Sequence, residues 1–154
     1  VWLDRELCGK DLPLDLYTWR ALVEGSSAHE AMAIPDRDTR FRKTVEWNGR
    51  SVCGVWHRPD PAVTNNFWND GLGHMACGFF AVGDMARGNF YANQLDALLI
   101  DVEIDGETVR SIPYTLRAAD GFEWVDELRG FVSTAAWYLF AKNRFNPLTL
   151  HRVP

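Results

Sequence analysis

Cysteine is scarce in this chain and badly spaced for chemistry. Cys8, Cys53 and Cys77 are the only three in 154 residues, and no two stand as a CxxC pair. That spacing excludes a zinc ribbon and a thioredoxin-type motif, and it predicts reduced thiols in a cytoplasmic setting. An apolar run of the ~18 residues that a membrane span requires is also missing, so no membrane association is expected. The first residue is Val1 rather than Met, so the N-terminus carries no argument about targeting. Positive charge is the minority sign, with 16 Lys and Arg against 21 Asp and Glu and a formal net charge of −5. Nucleic-acid binding by counterion release wants a basic face. The nearest approach to one is Arg37, Arg40, Arg42 and Lys43, diluted by Asp36 and Asp38. No nucleic-acid partner is therefore expected, and the acidic balance favours a basic partner if it favours any.

Familiar site signatures are absent too. Gly71-Leu72-Gly73 and the glycines from Gly83 to Gly88 lack both the P-loop Lys-Ser/Thr and the dinucleotide fingerprint. No HxD or HExxH occurs, so no metal and no cofactor is expected. Tryptophan, by contrast, is abundant, with seven residues. In a chain of this length, some of them are expected at a surface, where Trp favours binding. The length itself argues for a single domain spanning 1–154. Such a domain buries roughly two-thirds of its unfolded surface and needs no disulfide or metal staple.

Local patterns give an order of elements. Residues 11 to 25 read as a helix, with Asp11 as cap, Pro13 in the first turn, Gly25 as stop, and Leu16, Trp19, Ala21, Leu22 and Val23 on the buried side. Ser27 and Glu30 form a capping box for one or two turns ending before Pro35. Asn48-Gly49 marks a hairpin over Phe41 to Trp56, with Trp47 opposite Arg50 and Val45 opposite Val52. Phe41, Val45, Trp47, Val52 and Trp56 then share the core face, leaving Arg42, Thr44, Glu46, Ser51 and Cys53 on the other. Asp105-Gly106 marks a second hairpin from about Ala97 to Tyr114, with Ile100, Val102, Ile104 and Val109 on one face and Asp101 across from Arg110. Between the hairpins, Ala76 to Val82 and Asn89 to Ala92 read as strands, and the many glycines imply turns, bulges or close backbone approach. A last helix is expected over 122 to 142, capped by Asp120 with Glu123, its stripe formed by Val125, Leu128, Val132, Ala135 and Leu139. The tail after Pro147 is expected to be extended. The implied class is α+β, a mainly antiparallel sheet built on hairpins at about 41–56 and 97–114 and packed by N- and C-terminal helices. A closed barrel or sandwich is the competing architecture.

The richest stretch for function is Val55 to Tyr91, where His57, His74, Cys77 and a block of Asn and Asp interleave with aromatics. Asn66, Phe67, Trp68, Asn69, Asp70 and His74 are the candidate binding residues. Two adjacent aromatics fit poorly in a strand with one wet face, so Phe67 or Trp68 is expected to reach outward. Trp flanked by Asn and Asp suits a protein partner or a carbohydrate ring. Catalytic alternatives exist. His57 and His74 with Asp60 or Asp70 could form a two-histidine, one-carboxylate metal set. Cys77, three residues after His74, could be a nucleophile if a turn brought them together. Asp101 and Glu103 could do acid–base work, or be the solvated side of a sheet. A ligand pocket lined by Trp47, Trp56 and Phe80 is a third possibility. The balance favours a non-enzymatic binding or assembly protein, working with a protein partner or as a homo-oligomer. The alternative is a small hydrolase or metal-dependent enzyme using His57, Asp70, His74 and Cys77.

Overall fold

The computed structural model describes residues 12–118, 122–125 and 129–153. Helix α1 spans Leu14–Glu24 and passes through a 3-10 turn, Gly25–Ala28, into α2, His29–Arg37. Pro13 occupies the N-cap of α1, while Asp11 lies outside the described residues. The buried side of α1 is Leu14, Thr18, Ala21 and Leu22, and Trp19 and Val23 turn outward instead. Helix α2 runs through Pro35 rather than stopping before it.

The first hairpin forms in the expected register. Strands β1, Arg42–Trp47, and β2, Arg50–Val55, pair antiparallel with Trp47 opposite Arg50 and Val45 opposite Val52. Asn48 and Gly49 both take positive φ, at 49° and 72°, as a tight two-residue hairpin turn demands. Phe41, Val45, Val52 and Trp56 are buried. Cys53, expected on the open face, is buried as well, because β2 is covered on both sides. Its N–H donates to Gln94 Oε1 at 2.9 Å, on a helix from the other flank.

The centre of the chain departs from the expectation. The stretch read as a strand over Ala76 to Val82 is the second half of helix α3, Asn69–Ala81. Every residue of α3 from Asn69 to Phe80 is buried. Asn89 to Ala92 lies inside helix α4, Met85–Asp96, which Asp84 caps by accepting the Arg87 N–H at 3.0 Å. A helix buried all round shows no apolar stripe, so its pattern is indistinguishable from that of a buried strand. Its glycines serve close approach. A Cβ at Gly73 would stand 2.5 Å from Trp137 Cβ, on the helix packed against it. Phe67 and Trp68 are both buried, so the expectation that one of them reaches out is corrected. The Phe67 ring fills the space over Gly54 of β2, where a Cβ would fall 2.3 Å from it. Trp68 N–H donates to Val55 O at 2.9 Å, and the residue bridges to Thr115. Neither aromatic sits in a two-faced strand, which removes the premise of that expectation.

The second hairpin, β3 Ile100–Ile104 and β4 Glu107–Ser111, also keeps its register, with Asp101 opposite Arg110 and Val102 opposite Val109. Its apolar face is only half-covered, and Ile104 is exposed. The last helix, α5, is Val132–Lys142 and begins ten residues later than expected at 122. Phe131 is extended, and its N–H donates to Ile112 O at 3.0 Å, so the chain runs alongside the hairpin's exit before it turns helical. The expected cap Asp120 and the stripe residue Leu128 lie outside the described residues. The tail folds back as a short pair, β5 Phe145–Asn146 with β6 His151–Arg152, instead of running on extended. The class is α+β with small antiparallel sheets. Among the described residues the three strand pairs do not join into one sheet, and the core is built around α3, with α1, α4, α5 and β2 packed on it.

Candidate functional site

The residues singled out from sequence do come together, in the interior. Asn66 is a brace: its Oδ1 accepts the N–H groups of Phe67 and Leu116, both at 3.0 Å, and its Nδ2 donates to Arg117 O at 2.9 Å. Asn69 is another, donating from Nδ2 to Pro113 O at 2.7 Å while its N–H donates to Tyr114 O. Both amides lash the 113–117 segment to the start of α3. Fully buried amides need such partners, since leaving them unmade costs about 1–3 kcal/mol each.

Asp70 and His74 are one turn apart on α3, and His74 meets Asp15, Thr18 and Trp137, none of which stands among the candidates from the sequence. His74 Nδ1 lies 3.2 Å from Asp15 Oδ1 and 3.4 Å from Thr18 Oγ1, both on α1. The Trp137 ring of α5 sits 3.9 Å from the imidazole and the Trp68 ring 5.0 Å, with Trp19 farther out. Asp70 accepts a hydrogen bond from Thr134 Oγ1 on α5 and is also hydrogen-bonded to Ser133. Burial pushes the Asp70 carboxyl above its usual range, and the nearby Asp15 carboxylate adds to this. The hydroxyls and His74 pull the other way. Asp15 and Trp19 carry this cluster to solvent, whereas Asp70 and His74 are buried. The spacing of Asp15 and Trp19, one turn apart on α1, was a legible signal, but nothing local tied it to His74, which lies far along the chain.

The other candidates are dispersed. Cys77 is fully buried, and burial pushes its thiol up to about 12, which leaves almost no thiolate at neutral pH. His57 packs among Trp56, Phe122 and Trp68, with ring centroids 5.0, 5.1 and 6.5 Å away. Among the described residues, no three His, Cys, Asp or Glu side chains converge as a metal set. Trp56 packs on Phe122, while Phe80 lies over Gly88 of α4. Asp101 and Glu103 are exposed on the second hairpin, where Arg110 stands 3.6 Å from Asp101.

A second feature is on the outside. The apolar stripe expected to bury α5 points outward: Val132 is 89% exposed and Leu139 57%, with Ala135 between them. The face that packs on α3 carries Thr134, Trp137 and Ala141 instead. Ile104 of β3, 55% exposed, extends the apolar area. A groove of about 510 Å³ runs between β3 residues 101–104 and the Gly130–Val132 segment. A second, of about 260 Å³, lies beside Ile112, Tyr138 and Leu139. No helix among the described residues is long and apolar enough to cross a membrane. Compared with known protein families, curated proteins and solved structures, the chain matches none.

Proposed function

We propose that the chain is a non-enzymatic binding or assembly protein whose contact face is formed by α5 and the β3–β4 hairpin. The observation that carries this reading is the outward apolar stripe of Val132, Ala135 and Leu139 beside Ile104. Contiguous apolar surface rimmed by charge marks an interaction site in a folded chain. The hairpin supports the same reading, since a lone two-stranded ribbon with a half-covered face is marginal in water and gains from a partner. The block from Asn66 to His74 serves this face indirectly, by building the buried helix on which α5 rests.

The test is the native mass by light scattering, with Val132→Asp and Leu139→Asp as probes. Both positions are exposed, so the variants are expected to fold and to lose self-association or partner retention. A monodisperse 17.5 kDa particle that retains no partner, with variants indistinguishable from the parent, sinks the reading. A second reading, a small hydrolase or metal-dependent enzyme, is favoured by one observation: a carboxyl raised by burial beside an imidazole. It is removed if His74→Ala and Asp70→Asn leave every activity in a hydrolase screen unchanged.

A further inference from the structure

The outer edge of β3 has the features of a strand-docking site, and its chemistry selects the strand. In an antiparallel ladder, residue pairs alternate between those that exchange both main-chain hydrogen bonds and those that exchange none. The two-residue turn at Asp105-Gly106 makes Ile104 and Glu107 the first exchanging pair. Val102 with Val109 and Ile100 with Ser111 follow as the next exchanging pairs. The main-chain groups of Asp101 and Glu103 therefore point away from β4, to the outside. Among the described residues, β3 has β4 as its only ladder partner.

The groove of about 510 Å³ borders β3 and reaches Ser111 of β4. It is lined by four consecutive residues of β3, Asp101 to Ile104, and by that serine, and its far wall is the segment Arg129 to Val132 with Ala135. Its floor is apolar through Val102, Ile104 and Phe131, while Asp101 and Glu103 set their carboxylates on the opposite face. A second β3 strand is a poor occupant. Any two-fold pairing centred on Asp101, Val102 or Glu103 places a carboxylate opposite a carboxylate, and like charges directly opposite are unfavourable.

We infer that this edge takes an added strand from a partner of the pattern basic–apolar–basic. Its Lys or Arg residues would lie opposite Glu103 and Asp101, and the apolar residue between them would sit opposite Val102 on the groove side. The added strand exchanges main-chain hydrogen bonds with Asp101 and Glu103, which gives affinity, and the alternating side chains give specificity. Arg110 pairs with Asp101 and the Thr108 hydroxyl donates to Glu103, both from β4, so the partner's cations share both carboxylates. The inference rests on the binding reading above and adds the chemistry of the partner.

The experiment uses two blocked peptide probes, one alternating Lys and Val and one alternating Glu and Val. They are titrated into the intact protein while main-chain hydrogen exchange is followed at 101 and 103. The Lys/Val peptide is expected to bind and to slow exchange at both positions, while the Glu/Val peptide does not. Binding should weaken as salt is raised. The paired variant Asp101→Lys with Glu103→Lys should reverse the preference, costing the Lys/Val peptide about tenfold. Asp101→Pro removes only an outward N–H, leaves the ladder to β4 whole, and should abolish binding. Equal binding of both peptides, or unchanged binding by the Asp101→Pro variant, overturns the inference. If Val132→Asp still disrupts an assembly while the peptides fail, the docking strand is refuted and the binding function stands. If neither the charged variants nor Val132→Asp changes anything, both fall.

Discussion

The tightest constraint on how α5 is held is the contact at Gly73, and it yields a prediction whose sign is informative. Intrinsic helix preference alone makes Gly→Ala in a helix favourable by about 1 kcal/mol. At Gly73 the added methyl would stand 2.5 Å from Trp137 Cβ and 3.1 Å from both Trp137 C and O. None of these atoms lies at the end of a rotatable side chain, so relief requires α5 to move as a body. Overpacking of this kind costs about 1–3 kcal/mol. With no rotamer able to absorb it, the upper part of that range applies, and Gly73→Ala should lose about 1–2 kcal/mol net of the propensity gain. In a chain of 154 residues that is a drop in Tm of about 2–8 °C. The assay is paired thermal and urea unfolding of Gly73→Ala and the parent, with Val132→Ala as an exposed control expected to stay within about 0.5 kcal/mol. A Gly73→Ala protein as stable as the parent, or more so, would mean that α3 and α5 do not approach this closely. The account of the His74 surroundings and of the outward face of α5 would then fail together.

Two further outcomes follow from the buried groups. The Asp70 carboxyl is raised in the folded chain relative to its ordinary value of 3.8, so between those two values the folded state binds more protons than the unfolded one. Stability at this site is therefore greatest at low pH and falls as pH rises through that window. Asp70→Asn should remove the fall, so that its Tm advantage over the parent grows from pH 4 to pH 7; a difference independent of pH refutes the assignment. Cys77, with its thiol pushed up to about 12, should be silent to a thiol reagent at pH 8 in the native protein and react once urea unfolds it. Prompt reaction of native Cys77 would contradict its burial.

The features legible in the sequence are those with a local physical cause. Asn48-Gly49 and Asp105-Gly106 impose positive φ at both central residues, and each pins a register across its whole hairpin, down to Asp101 opposite Arg110. Helix α1 was legible for similar reasons, through Pro13 and Gly25, although Pro13, expected in the first turn, is its N-cap. What tertiary structure alone decided is which surfaces are inside. A continuous apolar run such as Met75 to Phe80 carries no period, so its helical state follows from being surrounded on all sides. The stripe of Val132, Ala135 and Leu139 has a helical period, yet period marks a face without saying what covers it. Gly73 lets Trp137 approach, and that close fit turned the other side of α5 to the core. His74 met Thr18 across 56 positions, and Asp15 one turn before it, for the same reason: the helices carrying them pack together, and no local rule encodes that meeting.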